Sequence, residues 1–298
     1  MVAADSPART LNDEMTRPSG LRGRGFGRGA WLRRHGSLAM GALLVLVPTL
    51  GALLAPWVSP FGYEDQQLEM TLQAPTTLHL FGTDDLGRDL FTRVLFGARV
   101  TLILGVVVVA LSGAFGLVVG AVSGYAGGWA DELLMRATEV VMAFPSIVLA
   151  MTIVVALGPG IQHAALAMVL VWWPPYARLA RAEVLAVKEL EFVEAAVAVG
   201  QSPRRILGRH ILPNVVPRVF VLATMDVGSA IIGGAGLSFL GLGAVPPTPE
   251  LGAMVSDGIK VPTAWWVALF PGLVILGSVL GFNFMGDGVR DLVDPRPS

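Results

Sequence analysis

The sequence predicts an all-α membrane protein, and three observations carry that expectation. Of the 298 residues, 54% are hydrophobic and only 14% are charged, where a soluble domain is usually about a quarter charged. Apolar runs recur along the chain, each near the roughly 20 residues that a helix needs to cross hydrocarbon. Lys and Arg gather in alternate polar segments, the asymmetry that sets membrane orientation.

Six spans are expected, over Ser37–Val58, Ala98–Val122, Leu133–Leu157, Ala164–Ala180, Val215–Leu237 and Trp265–Phe284. Residues 1–36 carry seven arginines among Gly, Ser and Pro and read as a disordered basic tail near the anionic inner leaflet. Arg33-Arg34 ahead of an apolar run has the look of an export signal. That run has span length, however, and further spans follow, so residues 37–58 are expected as an uncleaved first helix. The loop between spans four and five, with its flanks, holds Arg178, Arg181, Lys188, Arg204, Arg205, Arg209 and Arg218. The outer segments hold only Arg88, Arg93, Arg99 and Lys260. N-terminus and C-terminus are both expected inside.

The composition also excludes. The net charge of −1 offers no basic field for nucleic acid. Without cysteine there is no disulfide, thiolate metal site or cysteine nucleophile, and His35, His79, His163 and His210 have no metal-ligand spacing. The only lysines, Lys188 and Lys260, follow Val187 and Ile259, so the Gly-Lys of a phosphate-binding loop is absent. No Ser–His–Asp set or carboxylate pair points to catalysis; the chain is expected to be no enzyme and to bind no cofactor.

Residues 59–97 form an extracytoplasmic segment ending in "FGTDDLGRDLFTRVLFGAR". Thr83 is expected as the N-cap of an amphipathic helix with Asp84 and Asp85 in its first turn. Asp84–Arg88 and Asp89–Arg93 are acid-before-base pairs at i,i+4, and Leu86, Leu90 and Val94 share its apolar face. Such a helix either caps the bundle or offers Asp84, Asp85, Arg88 and Asp89 to an external partner.

Within the core, residues 98–298, Gly116, Gly120 and Gly124 recur at four-residue spacing, which lets helix backbones approach closely. Pro145 in span three and Pro174-Pro175 in span four are expected to kink or break their helices. Glu139 and Asp226 are acids inside spans three and five. Each costs roughly 2.5–3.5 kcal/mol at a helix centre, so each is expected to face a partner or a polar path; Glu139 stands beside Arg136.

The cytoplasmic segment 187–214 has the grammar of helix–turn–helix. A helix from about Glu189 to Val199 ends at Gly200, set for a left-handed conformation. Ser202 is expected as N-cap with Pro203 at the first helical position, and Pro213 as the stop of a second helix over Arg204–Leu212.

Glu194-Ala195-Ala196, then Gly200, then Ile211-Leu212-Pro213 resembles the "EAA" loop of bacterial ABC-importer permeases. The "RHILPN" form, with His210 where the broad consensus has isoleucine, resembles the dipeptide and oligopeptide branch. "MAFPSIVLAM", "WPPYARLARAEVL", "LSFLGLG" and "NFMGDGVRDLVDPR" resemble the same branch in the same order, and the likeness is closest to the C-type subunit. Relatives often carry an acid shortly before "LSFLGLG", where this chain has Gly234.

The resemblance implies a type I ABC-importer permease fold and a heterodimer with a homologous permease in the bacterial cytoplasmic membrane. Its partners would be two ABC ATPases, or one fused ATPase, which hold ATP and Mg, an extracytoplasmic substrate-binding protein and membrane lipid. Glu194, Ala195, Ala196, Gly200, Arg204, Ile211, Leu212, Pro213 and Asn214 would couple to the ATPase, and Asp226, Glu139 and Asn283 would border the translocation pathway. Di- or oligopeptide is the expected cargo, nickel or another small solute the alternative. An ion-gradient transporter is the rival class, and it would need acids converging at matched helix breaks.

Overall fold

The computed structural model describes residues 28–293, and among them the secondary structure is helical apart from turns and one isolated bridge between Thr83 and Asp89. Helix α1 runs Arg28–Val58 and α2 Leu90–Ala126; α3 is Gly128–Met142, α4 Ser146–Leu157, α5 Ile161–Trp172 and α6 Pro174–Lys188. The short α7 (Glu191–Ala198) and α8 (Pro203–Ile206) lead into α9 (Leu212–Phe239), followed by α10 (Leu251–Ile259) and α11 (Trp266–Val293).

Helix α1 begins nine residues ahead of its expected span, so the tail expected over 1–36 gives way to helix at Arg28; residues 1–27 lie outside the described residues. Four described helices are long and apolar enough to cross a bilayer: α1, α2, the continuous helix Pro203–Phe239, and α11. The expected third span is α3 and α4, bent 86° apart. Pro145 causes the break, because it has no N–H to continue the ladder and its ring opposes the carbonyl four residues back. Helix α3 carries Asp131, Glu132, Arg136 and Glu139, whereas α4 has no charged residue. The expected fourth span is likewise two helices, with Trp173 between α5 and the Pro174-Pro175 start of α6. Arg178, Arg181, Glu183 and Lys188 make α6 too polar to count as a span by composition.

Helix α2 is the axis of the bundle. Half of its apolar window is buried, against 17% for α1. Gly116, Gly120 and Gly124 lie against α6, where a Cβ would stand 2.5 Å from Trp173 O, 2.2 Å from Ala177 O and 3.0 Å from Arg181 O. These glycines therefore serve packing, as their spacing predicts. The main core joins Val108 of α2, Met168 of α5, Tyr176 and Val184 of α6 and Ile231 of α9. The apolar surface left exposed on α1, including Leu43, Val47 and Leu54, suits lipid or a partner helix rather than water.

Candidate coupling loop, pathway and outer cap

Lys188 ends α6 with its Nζ 3.1 Å from Tyr125 O and 5.5 Å from the centre of the Tyr125 ring. Leu190 is extended, and α7 follows with Glu191 and Glu194 in its first turn, where the helix dipole favours acids. Val193 and Ala196, one turn apart, are buried against the bundle. Glu194, Ala195, Val197 and Val199 are exposed, Val199 to 81%.

Gly200 closes α7 with φ +79°. Its N–H donates to Val197 O (2.9 Å) and the Gln201 N–H to Ala196 O (3.1 Å), the paired bonds of a Schellman cap. Nothing lies within 4 Å of a Cβ placed there, so the backbone alone requires glycine. Ser202 holds the N-cap position with Pro203 first in α8, but its side chain makes no capping bond.

Pro213 does not stop the second helix, contrary to expectation. Residues Leu207–Ile211 form a π-turn, in which Leu212 N–H donates to Leu207 O, and the chain enters α9 without a break. The wider turn accommodates a proline that can neither donate to the carbonyl four residues back nor lie close to it. Asn214 Nδ2 donates to His210 O at 2.7 Å, and His210 Nε2 lies 3.0 Å from Gln201 Oε1. Of the expected coupling residues, Glu194, Ala195, Gly200, Arg204, Pro213 and Asn214 are exposed on one hairpin, Leu212 is half-buried, and Ala196 and Ile211 hold it to the bundle.

Both legs of the hairpin are tied at their bases. Glu183 of α6 accepts from Arg218 of α9. Arg181 grips Asp131 of α3 through Nε and Nη2, both at 2.6 Å, and Ser123 of α2 donates to the same carboxylate. The sequence reading missed this link, since Asp131 and Arg181 are 50 residues apart.

The expected pathway residues separate. Glu139 pairs with Arg136 at 3.0 Å on the open face of α3, its side chain 61% exposed, so it lies apart from the other two. Asp226 sits half-buried in the middle of α9. Tyr176 of α6, a residue only 1% exposed, is its neighbour across the α6–α9 contact. Asn283 of α11 packs against the same helix, with Oδ1 3.3 Å from where a Cβ of Gly228 would stand. Beside them an open apolar groove of about 310 Å³ runs between α2 and α9. At Gly234 a Cβ would stand 2.5 Å from Leu104 Cδ2, so an acid there requires the Leu104 side chain to turn aside.

The outer segment corrects the sequence more deeply. Residues 83–89 are turns rather than helix; Asp89, not Thr83, caps α2, its Oδ2 accepting from Thr92 N at 2.8 Å. The charges point inward. Asp84 accepts from Leu86 N and Arg88 N (both 2.9 Å) and from Arg88 Nε (2.7 Å), with Arg93 Nε at 3.3 Å. Asp89 Oδ1 lies 2.9 Å from Nδ1 of the buried His79. Asp84, Arg88 and Asp89 are each at most 6% exposed, leaving Asp85 alone of the four for an external partner to reach. Unsatisfied backbone donors in a tight turn explain the inversion: a buried carboxylate satisfies several at once. Trp266 Nε1 donates to Thr83 O (3.1 Å) and the fully buried Glu250 accepts from Thr101 Oγ1 (2.9 Å), so this cap, α2 and α10–α11 form one unit.

Three comparisons place the chain among known proteins. The family described as "Binding-protein-dependent transport system inner membrane component" matches residues 116–298. A dipeptide transport system permease protein of Alkalihalophilus pseudofirmus is 42% identical over 266 residues, 89% of this chain and 88% of that one. A probable D,D-dipeptide transport system permease protein of Escherichia coli is 41% identical over 268 residues, covering 89% and 90%. A glutathione transport system permease protein of Escherichia coli is 43% identical over 266 residues, covering 89% and 88%. Among solved structures, the inward-facing MetNI methionine ABC transporter superposes with a TM-score of 0.54 at 20% identity, covering 68% of this chain and 96% of the other; that likeness concerns the fold.

Proposed function

The chain belongs to the family of binding-protein-dependent transport system inner membrane components, and on that premise we propose that it is the permease subunit of an ATP-driven importer of di- or oligopeptides. The single observation that carries the coupling role is the Gly200-capped hairpin. It is too polar for lipid, held at both bases, and exposes Glu194, Ala195 and Val199 together.

The names of the relatives, dipeptide, D,D-dipeptide and glutathione permeases, support a peptide cargo. The chain crosses the membrane six times with both ends inside, α3–α4 and α5–α6 each serving as one broken crossing. A homologous permease completes the pore, two ATPase subunits or one fused ATPase bind ATP and Mg, and an extracytoplasmic binding protein delivers the peptide. ATPase closure displaces the hairpin. Because α8 continues through the π-turn into α9, displacement at Arg204 moves the helix that carries Asp226. Nucleotide thereby biases a two-state equilibrium through contacts that differ between the states.

The test is purification through a tag on this chain, followed by reconstitution. ATPase subunits should copurify, and ATP hydrolysis should rise several-fold when peptide-loaded binding protein is added. Absence of an ATPase under mild detergent conditions contradicts the coupling role. A complex with ATPases but no response to peptide contradicts the cargo alone.

A further inference from the structure

The backbone of the coupling hairpin is soft at its turn. Helix α8 has four residues, a single turn, and the π-turn over Leu207–Ile211 that follows contains Gly208. Pro213 then brings no N–H to the carbonyl of Arg209, four residues back. Helices this short are held by tertiary contacts rather than by their own ladders. A push on the exposed face of α7 therefore reaches α9 only where side chains bridge the two.

Gln201 and His210 make that bridge. The Gln201 N–H donates to Ala196 O at the end of α7 (3.1 Å). Its side chain crosses to the π-turn, where Oε1 lies 3.0 Å from His210 Nε2; an amide oxygen only accepts, so Nε2 carries the proton. His210 O in turn accepts from Asn214 Nδ2 in the first turn of α9 (2.7 Å). On the other side, the Phe192 ring of α7 is centred 6.4 Å from the His210 ring. Gln201 and His210 are both half-buried, and Ala196 and Ile211 beside them are buried. Three hydrogen bonds thus run from α7 to α9 past the single turn of α8.

We propose that Gln201 and His210 are positioning residues of the coupling step, whose bond braces the hairpin so that displacement by the ATPase passes to α9 and is not lost in the turn. The inference rests on the importer reading above and adds to it the pair that transmits the motion. Attachment does not need the pair, since the exposed Glu194, Ala195 and Arg204 lie elsewhere on the hairpin. A hairpin without the brace still meets an ATPase that hydrolyses ATP, but it flexes at the turn and moves α9 less. Hydrolysis and transport then come apart.

The experiment uses the complete transporter with its binding protein in proteoliposomes and reads dipeptide imported per ATP hydrolysed. Q201L removes the acceptor at similar side-chain volume, and H210F removes the donor while keeping a ring against Phe192. Both should retain the ATPase subunits and ATP hydrolysis, yet import about 5-fold less per ATP, the order that one hydrogen bond supports. Q201E keeps an acceptor and should retain at least half of the wild-type ratio. The double variant should do no worse than either single, because both remove the same bond. A wild-type ratio in Q201L and H210F overturns the inference alone. So do losses that multiply in the double variant. Loss of the ATPase subunits or of folded chain from both singles also overturns it, by making the pair a docking or folding contact; where only one fails to assemble, the other decides. A wild-type chain that retains no ATPase or imports no dipeptide overturns the importer reading, and the inference falls with it.

Discussion

Gly120 of α2 and Ala177 of α6 meet so closely that a Cβ on Gly120 would stand 2.2 Å from the Ala177 carbonyl oxygen. No rotamer relieves that contact, since the backbone fixes the Cβ position and the oxygen is itself backbone, and the α2–α6 seam is the most extensive helix pairing at the axis of the bundle. Gly120→Val is expected to force the helices apart and destabilise the permease by about 1–3 kcal/mol, the usual cost of overpacking. Thermal unfolding in detergent should show a lower midpoint and reduced folded yield. An unchanged midpoint refutes the packing role of the glycine triplet.

At Gly200 the constraint is conformational, because a side chain there meets nothing. A left-handed φ of +79° costs an ordinary residue roughly 1–2 kcal/mol and a β-branched one more. Gly200→Val should therefore insert normally, disturb the turn, and lower transport at least 10-fold. Gly200→Asn should retain most activity, because asparagine tolerates this region. Equal transport by the two variants removes the turn from the coupling mechanism.

In the outer cap, Asp84 and Asp85 are adjacent and opposite in consequence. Removing the Asp84 carboxylate strands Arg88 and Arg93, both buried, and breaking a buried pair costs about 3–5 kcal/mol. Asp85 is 56% exposed, and its truncation should change stability by about 0.5 kcal/mol or less. Limited proteolysis of the outer segment should accelerate sharply in Asp84→Ala and remain as wild type in Asp85→Ala.

The Asp131–Arg181 grip is only partly exposed, at 19% and 35%, and joins three helices at the base of the hairpin. A double-mutant cycle with Asp131→Asn and Arg181→Gln should give a coupling energy near the upper end of the exposed-pair range, about 1 kcal/mol. No measurable coupling shows that the pair is incidental.

The sequence was most legible where one local rule governs. Gly200 ends α7 because a left-handed residue was needed, and the α2 glycines pack because nothing larger fits. It was least legible where two rules compete. Pro213 forbids an ordinary turn, yet the following apolar run favours continuing the helix, and a π-turn reconciles them. Asp84 and Arg88 have the spacing of an exposed helical pair, but the turn at Gly87 recruits them as buried acceptor and donor. Tyr176, the Glu250–Thr101 bond and the Asp131–Arg181 link depend on contacts 50 or more residues away, which no window on the sequence contains. Four or five spans by composition, against six expected, reflect the same limit: helices broken at Pro145 and Pro174 are too short or too polar to register singly.

On the proposed mechanism, the exposed face of Glu191–Asn214 meets the ATPase. The chain has no native cysteine, so a single Glu194→Cys can be joined to a bound partner by a short bifunctional thiol reagent in native membranes. Glu194→Cys should give a crosslinked band containing this chain and an ATPase subunit, with a yield that changes when ATP is replaced by ADP. Asp85→Cys, at the other end of the bundle, should give none. A crosslink to the ATPase from Asp85→Cys, or its absence from Glu194→Cys in an assembled complex, rules out the hairpin as the ATPase contact.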